Sequence, residues 1–192
     1  MGTPSEHIQR ILGTRVDESP QLIDQLRLAL DKSDSNYVQA RKLLKKVPYS
    51  KVVYTGTGGI PVRRYRNTMF AVTGNRVLYY AKLAQQSTPL GNGVYQEMVW
   101  RNTAVPSTVL LAGEVMLGYL LPEYKILLCD RKQTTGGQRL WLTVTATAIE
   151  KGHKVYLWHT DEFQQVYSAE FDIFGVWGRG KEFQDSRIII TL

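Results

Sequence analysis

Apolar and polar positions recur along this chain in two rhythms, first helical and then alternating. Residues 6–13 fit a short helix. A second helix is expected with Asp17 or Ser19 as its cap and Pro20 in its first turn. Leu22, Ile23, Leu26, Leu28 and Leu30 give it an apolar stripe. A third covers 36–46, capped by Asp34 or Ser35, with Tyr37, Ala40, Leu43 and Leu44 as its buried face. Pro48 marks its end.

The rhythm then shortens. Lys51–Tyr54 reads as a strand, and Gly56, Gly58, Gly59 and Pro61 as a turn. Arg64–Thr73 and Arg76–Ala84 alternate like paired strands about a Gly74-Asn75 hairpin turn. Gln85–Gly93 is a polar loop before a strand at Tyr95–Arg101. Pro106–Leu121 returns to helical spacing, and Lys125–Cys129 is an apolar run suited to a central buried strand. Thr134–Lys151 is a long helix stopped by Gly152. Strands are expected at His153–Trp158, Val166–Trp177 and Arg187–Leu192. Helices interrupting the later strands imply an α+β fold, with a mixed, mainly antiparallel sheet flanked by helices. The 192 residues are expected to form a single domain, 1–192, with helices 6–46 packed on a 51–192 sheet core.

Composition narrows the class. Hydrophobic residues make up 43% and charged residues 21%, which excludes a disordered or collagen-like chain. No apolar run reaches the roughly 20 residues needed to span a bilayer, so no membrane span is expected. Residues 1–12 lack a signal-peptide pattern, so the expected compartment is the cytoplasm. The single cysteine, Cys129, excludes an internal disulfide framework and a Cys-based zinc cluster. His7, His153 and His159 show no i, i+4 pairing, so no metal is expected.

Charge changes the picture more. The net charge is +7, but residues 1–96 hold 14 Lys+Arg against 6 Asp+Glu, and residues 97–192 hold 10 against 11. No acid occurs between Asp34 and Glu97. That stretch includes Arg41, Lys42, Lys45, Lys46, Arg63, Arg64 and Arg66, a field of one sign that attracts nucleic acid, a phosphorylated cofactor or an acidic protein surface. Tyr65, Phe70, Tyr79, Tyr80, Tyr95 and Trp100 lie near Arg63, Arg64, Arg66 and Arg101, and aromatics beside cations can stack bases.

The turn after the strand at Tyr95–Arg101 reads Arg101-Asn102-Thr103-Ala104-Val105-Pro106, and the later helix opens Thr134-Thr135-Gly136-Gly137-Gln138-Arg139-Leu140-Trp141. With the order of elements, these segments make the chain resemble the GNAT-type N-acyltransferases. The resemblance implies that acetyl-coenzyme A binds between Arg101–Thr108 and Gln133–Arg139. Arg101, Ala104, Ser107, Thr108, Gln133, Thr134 and Gly137 would be the contacts. Pro106 replaces the loop's last small residue and has no amide proton, and Trp141 stands where the family has its acidic Tyr. Asp130 or Glu97 is the candidate base for an unidentified acceptor.

Cys129 ends an apolar run and is expected to be a buried thiol. His159, near Asp161 and Glu162, is the best-placed histidine for acid–base work. A small basic chain lacking a recognisable catalytic set also fits a catalytically inactive interaction or inhibitor protein of a mobile genetic element. Such a protein would hold a partner protein or nucleic acid on its basic face.

Overall fold

The computed structural model describes residues 20–129, 135–159, 162–166 and 186–192. Among these, four helices accompany a nine-stranded sheet of order β1-β2-β3-β4-β5-β6-β9-β7-β8. β1–β2, β2–β3, β3–β4, β6–β9, β7–β8 and β7–β9 pair antiparallel and β5–β6 pairs in parallel, so the fold is α+β with a mixed, mainly antiparallel sheet. The chain divides into two compact units, one running to Ala84 with Gln96–Ala112 added, the other Gln85–Tyr95 with Gly113–Leu192.

In the first unit, helices α1 (Pro20–Asp31) and α2 (Ser33–Leu44) precede a 3-10 turn at Val47–Tyr49. Strands β1 (Lys51–Gly56), β2 (Ile60–Tyr65) and β3 (Thr68–Thr73) come next, then the long strands β4 (Arg76–Thr88) and β5 (Gly91–Arg101). Leu30, Ala40 and Leu43 of the helices pack with Phe70, Val77, Met98 and Trp100 of the strands. Trp100 keeps its polar edge satisfied, its Nε1–H donating to Asp31 at 2.8 Å.

The helical faces are narrower than their spacing implies. Leu28 is 62% exposed, and Tyr37 and Leu44 also lie at the surface. Asn36, one turn before Ala40, is buried instead. It donates to the Leu30 carbonyl at 2.9 Å and accepts the Val77 amide at 2.9 Å, fastening both helices to β4. Neither Asp34 nor Ser35 caps α2; the cap is Lys32, without a side-chain hydrogen bond. The expected strand 64–73 is two strands turning at Arg66-Asn67. Gly74-Asn75 is the two-residue turn expected, with Gly74 at φ +51° and Thr73 opposite Arg76. The expected polar loop 85–93 is mostly strand, because β4 runs on to Thr88 and β5 begins at Gly91.

In the second unit, β6 (Ile126–Leu128) pairs in parallel with β5 at Val94–Leu127 and antiparallel with β9 (Ser186–Thr191). Strand β7 (Lys154–His159) joins β9, and β8 (Glu162–Val166) completes the order. Ile126, Leu128 and Ile189 form an apolar cluster with Tyr95, Tyr156 and Trp158. Helix α4 (Thr135–Glu150) buries Trp141, Val144, Thr145 and Ala148, one helical stripe. The expected helix 106–121 is broken. A 3-10 turn spans Pro106–Thr108, and the run 111–124, here α3, widens into a π turn at Met116–Leu120. Pro122 explains the widening, since its ring lacks an amide and crowds the carbonyl four residues back. The expected helix 6–13 and nearly all of Val166–Trp177 lie outside the described residues.

Candidate functional site

The α2 helix ends in cations. Arg41, Lys42 and Lys45 are exposed and Lys46 is half-buried. The dipole of the last turn favours positive charge there. Three cation–ring contacts, on two tyrosines, involve these groups and Arg66. The Arg41 guanidinium stands 5.9 Å from the ring centroid of Tyr37, one turn earlier. Lys46 Nζ lies 5.6 Å from the Tyr65 centroid, and the Arg66 guanidinium lies 5.3 Å from the same centroid. Residues 20 apart in sequence thus meet on one ring.

That ring is held firmly, because Tyr65 also packs against the first unit's core. Arg66 occupies the tight β2–β3 turn with φ +55°, a left-handed conformation that favours glycine or asparagine. Arg64 Nε donates to the Arg66 carbonyl at 3.0 Å and braces the turn. In the β1–β2 register Lys51 lies directly opposite Arg64, and Val52 opposite Arg63. Like charges directly opposite each other on paired strands repel, so this placement works against folding. Tyr37, expected inside, is 41% exposed, while Tyr49, whose turn packs against β2, is 78% exposed. Spacing hides both rings' roles; the one usable signal is Tyr37 lying four residues before Arg41.

The expected cofactor loop has another character. Arg101 ends β5 and is half-buried, and Ala104 and Ser107 are exposed. Asn102, which carries no signal in the sequence, organises residues 103–108. Its Oδ1 accepts the Ala104 amide at 3.1 Å, and its carbonyl accepts the Val105 amide at 3.1 Å. Thr108 is fully buried, its hydroxyl 2.8 Å from the carbonyls of both Asn102 and Val105. The amides of Thr108 and Val109 bond back to Val105 and Pro106 at 3.0 Å each. The amides of Ala104, Val105, Thr108 and Val109 are therefore engaged within the loop.

Of the two candidate carboxylates, Asp130 lies outside the described residues, as do Gln133 and Thr134. Glu97 is half-buried on β5, with Oε2 4.0 Å from Nζ of the buried Lys82 on β4. Nearby in the first unit, Gln96 Nε2 donates to the Tyr79 hydroxyl at 2.8 Å. Burial pushes the Tyr79 phenol well above its ordinary range. Gly137 sits in the first turn of α4.

Elsewhere, Cys129 is buried and its sulfur accepts the Ile188 amide at 3.0 Å. His159 Nδ1 lies 2.7 Å from Ser186 Oγ, and Glu162 is opposite His159 in the β7–β8 register. Ser186 is buried and His159 is half-buried. Among the described residues no group of three or more His, Cys, Asp or Glu could hold a metal ion. Among them, too, no helix is long and apolar enough to cross a membrane. Compared with protein-family models, with curated proteins and with solved structures, the chain has no match.

Proposed function

We propose that the first unit binds a polyanion through the basic face formed by the end of α2 and strand β2. The observation that carries this reading is the convergence of Lys46 and Arg66 on the single ring of Tyr65. The two cations stand 5.6 and 5.3 Å from that ring's centroid, and a surface field of one sign draws anions towards it. Arg41, Lys42 and Lys45 extend the same field along α2. A cytoplasmic place of action suits a chain whose one cysteine is a buried free thiol.

The test is binding of heparin, a duplex oligonucleotide and a single-stranded oligonucleotide, each across a salt series. Affinity should fall steeply with salt. The double variant Lys42→Glu, Lys45→Glu alters two exposed positions, one in the last turn of α2 and one just past its end, and should weaken all three by about tenfold or more, with a shallower salt slope. Failure of all three to bind at low salt would end this reading.

Acyl transfer is the second reading, and one observation favours it. The elements β5, α3, β6, α4 and β7 follow one another as strand, helix, strand, helix, strand, the order on which the acyltransferase resemblance rests. A calorimetric titration with acetyl-coenzyme A should then give one-to-one binding that Arg101→Ala weakens. Absence of heat and of any thermal shift removes this reading and leaves the first intact.

A further inference from the structure

We infer that the polyanion is a single-stranded nucleic acid, with Lys46 and Arg66 clamping a phosphate over Tyr65 and Tyr49 stacking a base. This rests on the polyanion reading above and goes beyond it by naming the ligand's chemistry.

Two observations point to a phosphate site, and a third favours a single strand over other polyanions. The first is backbone strain. Arg66 holds φ +55° at a turn where glycine would fit without penalty, at a cost of about 1 kcal/mol. Strain of this kind collects where a side chain is needed in a fixed place, and here it delivers a guanidinium to the Tyr65 ring. The second is rigidity. Tyr65 packs against the core and the turn that carries Arg66 is braced by Arg64, so that guanidinium is held in a fixed place.

The third is the exposed ring. Tyr49 is 78% exposed on a turn that packs against β2, the strand bearing Tyr65. Charge alone suffices for heparin or a duplex backbone, neither of which offers an unstacked base. A ring standing in water beside phosphate-binding cations suits unpaired bases, whose stacking on aromatics is worth roughly 1–3 kcal/mol each. The Tyr37–Arg41 stack repeats the pairing of ring and cation one element away.

The experiment is fluorescence anisotropy with a labelled single-stranded oligonucleotide, a duplex of equal length, and heparin as competitor. The single strand should bind more tightly than the duplex. Tyr49→Ala, at a surface position, should weaken the single strand by about 5- to 150-fold and leave duplex and heparin binding unchanged. Arg66→Gly should weaken all three and lower the salt slope by about one, without lowering the melting temperature. Equal affinity for duplex and single strand, or an unchanged single-strand affinity in Tyr49→Ala, overturns this inference while the polyanion reading stands. No binding by any probe overturns both.

Discussion

Asn36 is the polar residue on which the first unit's helix packing most depends, and replacing it gives a quantitative test. The residue is 5% exposed, and its amide joins Leu30 at the end of α1 to Val77 in β4. Both partner groups belong to buried residues, Leu30 at 2% and Val77 at 0%. Asn36→Ala leaves a carbonyl and an amide unsatisfied, each worth about 1–3 kcal/mol. A loss of about 3 kcal/mol results, or a fall in melting temperature of roughly 6–12 °C for a chain of this size. Asn36→Asp makes the argument sharper. A carboxylate there still accepts from Val77 but faces the Leu30 carbonyl without a proton to donate. Burial and that carbonyl raise its folded pKa above the unfolded value of roughly 3.9. Below the unfolded value the acid is protonated in both states and can donate to Leu30, so the deficit is small. As pH rises through the folded value the deficit grows to its full size. Urea denaturation followed by circular dichroism, with wild type measured alongside at pH 4 and pH 7, reads both effects. An Asn36→Ala cost below about 1 kcal/mol, or an Asn36→Asp deficit equal at the two pH values, would refute the fastening role.

Two further outcomes concern buried groups. The Tyr79 phenol is held neutral by burial, with a folded pKa above the unfolded value of roughly 10. Stability linked to it is present below that pH and declines as pH rises beyond it, so Tyr79→Phe should flatten the alkaline loss measured by urea midpoints between pH 8 and 11. Equal alkaline losses in both proteins would place the effect elsewhere. Gly93 lies where a Cβ would stand 3.0 Å from Ile126 Cγ2 and 3.4 Å from Thr88 Cγ2. Gly93→Ala should therefore cost about 1–3 kcal/mol by denaturation, and a near-neutral result would show that Ile126 turns aside.

How much of this fold the sequence displayed depended on whether a signal was local. The Gly74-Asn75 hairpin was legible because glycine at positive φ marks such a turn. The apolar run around Ile126–Leu128 announced a buried strand on composition alone. The turn at Arg66-Asn67 was not legible, because arginine is a poor marker for a left-handed position. Asn36 escaped for a related reason. A polar residue in a helical stripe looks like surface until its partners, 6 and 41 residues away, are seen. The π turn depended on Pro122, one residue beyond the expected helix end. At the candidate site the excess of positive charge was plain in the sequence, whereas its focus on Tyr65 needed the packing of the Val47–Tyr49 turn on β2, next to Lys46.

The contrast between the 101–108 loop and the basic face favours the second as the functional site. In the loop, Pro106 removes one donor and Asn102 takes up others, with Thr108 turned inward to finish the pattern. A loop closed by its own hydrogen bonds gains nothing from an anion unless those bonds break first. At the basic face two local choices run against folding: Lys51 opposes Arg64, and Arg66 keeps a conformation suited to glycine. Sequences hold such conflicts where something other than stability requires them. That strain is the reason to place the proposed function at α2 and β2, and relieving it with Arg66→Gly should separate stability from binding.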